Sequence, residues 1–61
     1  MDFQFTIDKD FKRVNIYLND QKEYVLRCFK DGIVYKNWNY HTGNKEEAFH
    51  EALIFLNSPA V

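Results

Sequence analysis

The sequence predicts an α+β fold: a four-stranded antiparallel meander followed by one C-terminal helix packed on one of its faces. Three observations carry this. Apolar and polar residues alternate in successive short segments as far as Tyr40, which is the period of a strand. Asp31-Gly32 lies between two segments rich in β-branched and aromatic residues, and Asp-Gly is a strong hairpin signal. Beyond Gly43 the pattern changes to helical spacing and runs until Pro59 stops it.

Taken in order, Phe3, Phe5 and Ile7 alternate with Gln4 and Thr6 and predict a first strand. Asp8-Lys9-Asp10 reads as a turn, because Asp side chains bond nearby backbone. Val14, Ile16 and Leu18 alternate with Arg13, Asn15 and Tyr17 and give a second strand. Asn19-Asp20-Gln21-Lys22 is a polar four-residue connection to a strand near 23–30. Gly32 supplies the positive φ that a two-residue type I′ turn requires, and the fourth strand follows near 33–40. Asn44 is placed as a helix N-cap, with Glu47 three residues on and Glu46 beside it where the helix dipole favours acids. The helix is expected from Lys45 to Leu56 or Asn57. Its apolar arc is Ala48, Phe49, Ala52, Leu53, Phe55 and Leu56, and Ile54 stands out on the opposite, charged face. The whole chain reads as a single β-β-β-β-α domain, 1–61, without repeats or linkers.

Register decides which residues meet the helix. A two-residue turn at Asp31-Gly32 pairs Phe29 with Val34 and Val25 with Trp38. A four-residue loop at 19–22 pairs Ile16 with Val25. The helix-bearing face then holds Val14, Ile16, Leu18, Val25, Phe29, Val34, Trp38 and Tyr40, joined by Phe3, Phe5 and Ile7 if the first loop also has four residues, with Arg27 and Lys36 at its edge. The other face holds Tyr17, Tyr24, Leu26, Cys28, Ile33 and Tyr35, surrounded by Arg13, Asn15, Asn37 and Asn39. A slip of one residue exchanges the two faces, but both are apolar in either register.

Composition narrows the function. Sixty-one residues make one small domain, of a size that buries only about 60% of its unfolded surface. Cys28 is the single cysteine, so no internal disulfide reinforces it. What remains is dense aromatic packing, from six Phe, four Tyr and one Trp, or self-association. Eight basic and nine acidic residues give a net charge of −1, which supplies no general field for nucleic acid or membrane and little self-repulsion. The N-terminal sequence has no signal-peptide pattern and no stretch is long enough to span a bilayer, so a cytoplasmic protein is expected. The abundance of Lys, Asn, Tyr and Phe is that of an AT-rich coding genome, as in some bacteria and their phages.

Chemistry finds little support. Cys28 with His41 or His50 lacks any nucleophile–base spacing, and a mid-strand cysteine is more often a small buried hydrophobe. No paired ligand spacing joins Cys28, Asp31, His41 and His50, so no metal is expected. Glu46, Glu47 and Glu51 read as solubilising charges. The only glycines are Gly32 and Gly43, so phosphate loops are absent. The expectation is no catalytic residue, no metal, no cofactor and no small-molecule substrate.

Two binding readings follow. In the first, the chain is a protein-interaction module: a small regulator or inhibitor of phage or mobile-element type, binding a host protein and forming a homodimer. Tyr17, Tyr24, Leu26, Tyr35, Asn37 and Ile54 are its candidate contacts, since Tyr offers large area and a polar tip. In the second, Arg13, Arg27, Lys30 and Lys36 with neighbouring aromatics hold nucleic acid. The stretch NWNYHTGNKEEAFHEAL, with Trp38 and Tyr40 before Glu46-Glu47-Ala48, resembles the end of the three-strand-plus-helix DNA-binding modules of tyrosine integrases and plant ethylene-response factors. That resemblance implies a sheet inserted in the major groove, with Arg13, Arg27 and Lys36 as contacts. A third reading is an antitoxin-like or structural subunit that completes its fold on its partner.

Overall fold

The computed structural model describes residues 2–35 and 40–58. It is an antiparallel sheet with one C-terminal helix packed on it. The strands are β1 (Asp2–Lys9), β2 (Lys12–Leu18), β3 (Tyr24–Lys30), β4 (Ile33–Val34) and β5 (Tyr40–Thr42), and the helix is α1 (Lys45–Asn57). Spatial order is β1-β2-β3-β4, and β5 pairs with the same edge of β3 that β4 occupies.

The helix forms as its sequence dictates. Asn44 is extended, and its Oδ1 accepts from the amides of Glu46 (2.9 Å) and Glu47 (3.2 Å). The Asn44 amide in turn donates to Thr42 Oγ1 at 3.1 Å, tying the cap to the end of β5. The last turn of α1 has no basic residue of its own. Lys12 of β2 supplies one, its Nζ donating to the carbonyls of Phe55 (3.3 Å) and Ser58 and lying 5.7 Å over the Phe55 ring.

The two tight turns also follow from their residues. Asp31 and Gly32 both have positive φ, 54° and 81°, as a type I′ turn needs. The first turn is shorter than the expected Asp8-Lys9-Asp10 segment: β1 continues to Lys9, which pairs with Lys12 across Asp10-Phe11. Asp10 takes the left-handed φ of 55° there.

The expected register fails between β2 and β3. Leu18 pairs with Tyr24, Tyr17 with Val25, and Ile16 with Leu26. Asn19 closes the loop instead of entering it: its amide donates to the Glu23 carbonyl, and its Oδ1 accepts from the Gln21 and Glu23 amides. That leaves three loop residues, 20–22, with Lys22 at φ 64°, and an odd loop in place of an even one turns β3 over. Leu26 and Cys28 thus join Val14 and Ile16 under the helix, each at most 1% exposed. Tyr24 and Tyr35, expected on the uncovered face, pack against this same core. Val25, Phe29 and Arg27, expected under the helix or at its edge, point the other way.

Two further irregularities correct the expected faces. Register shifts between Phe3 and Phe5, so Phe5 and Ile7 share the helix side while Phe3 lies opposite Tyr17 on the other. The fourth strand, expected unbroken over 33–40, pairs with β3 in two ladders, Phe29↔Val34 and Leu26↔Tyr40. Between them β3 spends two residues and the returning chain five. The excess of three places His41, not Trp38, opposite Val25. Val34 follows Phe29 onto the uncovered face, and the odd excess reverses sides once more, so Tyr40 lies on the helix side as expected. Lys36, Asn37, Trp38 and Asn39 lie outside the described residues.

The core consists of Val14, Ile16, Leu26, Cys28, Ala48, Ala52, Phe55 and Leu56. Alanines at 48 and 52 let the helix approach the sheet closely, and Phe55 fills the space beyond them. Leu53, expected in the apolar arc, is 50% exposed on the flank of the helix. Ile54 is exposed, as its position among charged residues suggests.

Candidate functional site

The helix covers one side of the sheet and leaves the other open. Cross-strand partners share a side, so the registers define the open face. It carries Phe3, Thr6 and Asp8 from β1, Arg13, Asn15 and Tyr17 from β2, and Val25, Arg27 and Phe29 from β3, with Val34 and His41 at the far edge. Val25 is buried among its neighbours; Phe3, Arg27, Val34 and His41 are exposed, and Tyr17 and Phe29 are half-buried.

At one end of this face Phe3 meets Tyr17 edge to face, ring centroids 5.7 Å apart. A polar chain fixes the middle: Thr6 Oγ1 donates to Asn15 Oδ1 at 2.8 Å, and Asn15 Nδ2 donates to the Tyr17 hydroxyl at 3.3 Å. Arg13 pairs with Asp8, Nε to Oδ1 at 2.6 Å and Nη2 to Oδ2 at 3.4 Å. The hydrogen bond to Asp8 raises the already high pKa of the guanidinium, and the pair is exposed enough that its worth is small.

At the other end the two hairpin tips form an open cleft of about 740 Å³, lined by Asp8, Asp10, Phe11, Lys12, Arg13, Asn15, Phe29, Asp31 and Gly32. The Asp31 amide donates to the Phe11 carbonyl at 2.8 Å, so the tips hold each other. Phe11 is 79% exposed on the wall of this cleft. A large apolar side chain in a two-residue turn is unusual, and that is the sequence signal that marks it. Phe3, Phe29 and His41 carry no such signal, because only the register brings them to this face.

The sequence-derived candidates divide. Tyr17, Arg13 and Arg27 lie together on the open face. Leu26 is 1% exposed and offers no surface. Tyr24 and Tyr35 are on the helix side, Tyr35 with its ring 6.1 Å from that of Phe55. Lys30 pairs with Lys12 and shares its side, away from the two arginines. Ile54 is on the outer surface of the helix. Asn37 and Lys36 fall outside the described residues.

Burial pushes the Cys28 thiol up to about 11, which makes it a poor nucleophile. The Tyr40 hydroxyl donates to Glu47 Oε1, and this bond, aided by desolvation and the charges of Glu47 and Glu51, raises its pKa. Among the described residues no three His, Cys, Asp or Glu side chains gather as a metal site, and no helix is long and apolar enough to cross a membrane. Comparison with protein-family models, curated proteins and solved structures found no match.

Proposed function

We propose that this chain is a non-enzymatic protein-binding module whose partner docks on the helix-free face of the sheet. The observation that carries the reading is the make-up of that face. Phe3, Tyr17, Phe29 and Val34 lie among Arg27, His41 and Asn15, a mixture of aromatic, Arg and amide groups typical of the centre of protein interfaces. The cleft at the hairpin tips adds Phe11 and the carboxylates Asp10 and Asp31, which favour a basic or aromatic anchor on the partner. Size and composition fit a small cytoplasmic regulator or inhibitor carried by a phage or mobile element, acting by occluding its target. The test compares affinity capture from nuclease-treated bacterial lysate by the wild type, Tyr17→Ala, Arg27→Ala and Ile54→Ala. One defined protein should be lost with the first two variants and kept with the third. Equal capture by all four would remove the open face from the reading.

A second reading is favoured by one observation. The register places Arg13 and Arg27 on the same face as Tyr17 and Phe29, a basic and stacking surface of the kind that holds nucleic acid. Asp8 neutralises Arg13, which leaves Arg27 as the arginine without an ion pair among the described residues and limits the electrostatic contribution. Duplex or single-stranded binding that weakens steeply with salt, and less steeply in Arg27→Ala, would bring this reading to the front.

A further inference from the structure

We propose that β1 pairs with β1 of a second copy, joining two sheets into one across a two-fold axis at Thr6. This uses the sheet edge and is independent of whatever binds the open face. β1 is the outer strand of the sheet, eight residues long and exposed throughout except at Ile7, which is half-buried. An uncovered edge of that length is a template for another strand.

The orientation of its backbone follows from the first turn. Lys9 and Lys12 close a two-residue hairpin and bond each other both ways, so alternate residues Asp8 and Thr6 turn their N–H and C=O outward. Thr6 can then exchange both bonds with its symmetry copy. From that centre Phe5 faces Ile7 of the second copy, and both lie on the helix side. The irregularity at Gln4 absorbs one residue, as it does against β2, and brings Phe3 opposite Asp8 and Asp2 opposite Lys9.

This register is self-complementary at its centre and at its ends, with Phe3 meeting Asp8 between them. Asp2 and Lys9 share a side and have opposite charge, and the pair occurs twice. The two flanking positions are apolar against apolar. Without the shift at Gln4, Asp2 would meet Asp10 instead. The irregularity and terminal charges that would ordinarily blunt an edge become the elements that set its register. A strip on the helix flank continues the match. Lys45, Phe49 and Leu53 are spaced four apart, the Phe49 ring is 5.2 Å from that of Phe5, and Leu53 is 50% exposed. Two-fold pairing turns these strips toward each other above the joined edges.

The experiment is sedimentation of the full chain over a wide concentration range, with amide exchange at Thr6 and Asp8. A concentration-dependent dimer is expected, with both amides protected only when it forms. Asp2→Lys and Lys9→Asp each weaken association roughly tenfold, since a like-charge pair appears twice, and the double variant returns to within about threefold of wild type. Synthetic chain N-methylated at Thr6 keeps its circular dichroism spectrum and loses association by about a hundredfold, because an outward amide is lost on each copy. A monomer at every concentration would overturn the proposal. So would a dimer indifferent to Thr6 methylation, or a double charge reversal as weak as the single ones.

Discussion

The two sides of this sheet are made by the same strands and differ in what they do with apolar residues. The helix side concentrates them: Val14, Ile16, Leu26 and Cys28 are at most 1% exposed, beneath Ala48, Ala52 and Phe55. The open side disperses them, with Val25 buried at 6% among Tyr17, Arg27 and His41, and Phe3 at 56%. Alternation alone makes such a division possible, but it does not say which set is which. For β3 one loop decides that, since any odd change in its length turns the strand over.

The comparison breaks most visibly in stability. Leu26→Ala should cost about 3 kcal/mol by denaturant unfolding, because it empties a packed site, and its sequence neighbour Arg27→Ala should stay within about 0.5 kcal/mol. Equal effects would mean that the two sides are not distinct.

A pH experiment sharpens it next. The folded Cys28 thiol titrates near 11 against an unfolded value of 9.0, because burial disfavours the thiolate. The unfolded chain therefore releases this proton first. Stability from this group is intact below pH 9 and declines as pH rises from there toward 11. Tyr40, also raised, adds to the decline. Unfolding measured between pH 8 and 11 (about the working range of this linkage) should show a shallower fall in Cys28→Ala than in the wild type. Identical slopes would place the thiol in water.

The smallest effect concerns the loop itself. Lys22 holds φ 64°, a conformation that costs an L residue with a side chain about 1 kcal/mol. Lys22→Gly should stabilise the fold by about 0.5 kcal/mol after the extra freedom of the unfolded glycine is counted. A destabilised variant would show that the Lys22 side chain, not its backbone, holds the turn.

That residue also explains what the sequence concealed. Asn44, Glu46 and Glu47 announce the helix start because capping depends on side-chain chemistry that is local and strongly typed. Asp31-Gly32 announces its turn for the same reason. Lys22 announces nothing: the left-handed position is usually marked by Gly or Asn, and a lysine there leaves a three-residue loop looking like a four-residue one. The shift at Gln4 and the three extra residues before Tyr40 are equally unmarked, since pairing geometry and not residue type creates them. The elements were therefore legible and the sides were not. The site candidates inherited that division: Tyr17 stayed on the open face in either register, whereas Tyr24 and Leu26 depended on the loop.

Lys12 ties the helix end to a distant part of the chain. Its ammonium completes Phe55 and Ser58 from more than forty residues away. The two segments have no short loop between them, so the contact carries a loop-closure cost that the packed sheet and helix must offset. A peptide carrying the helix alone would fray from its last turn. Within the full chain the helix end and the first hairpin should appear and vanish together, as one cooperative unit.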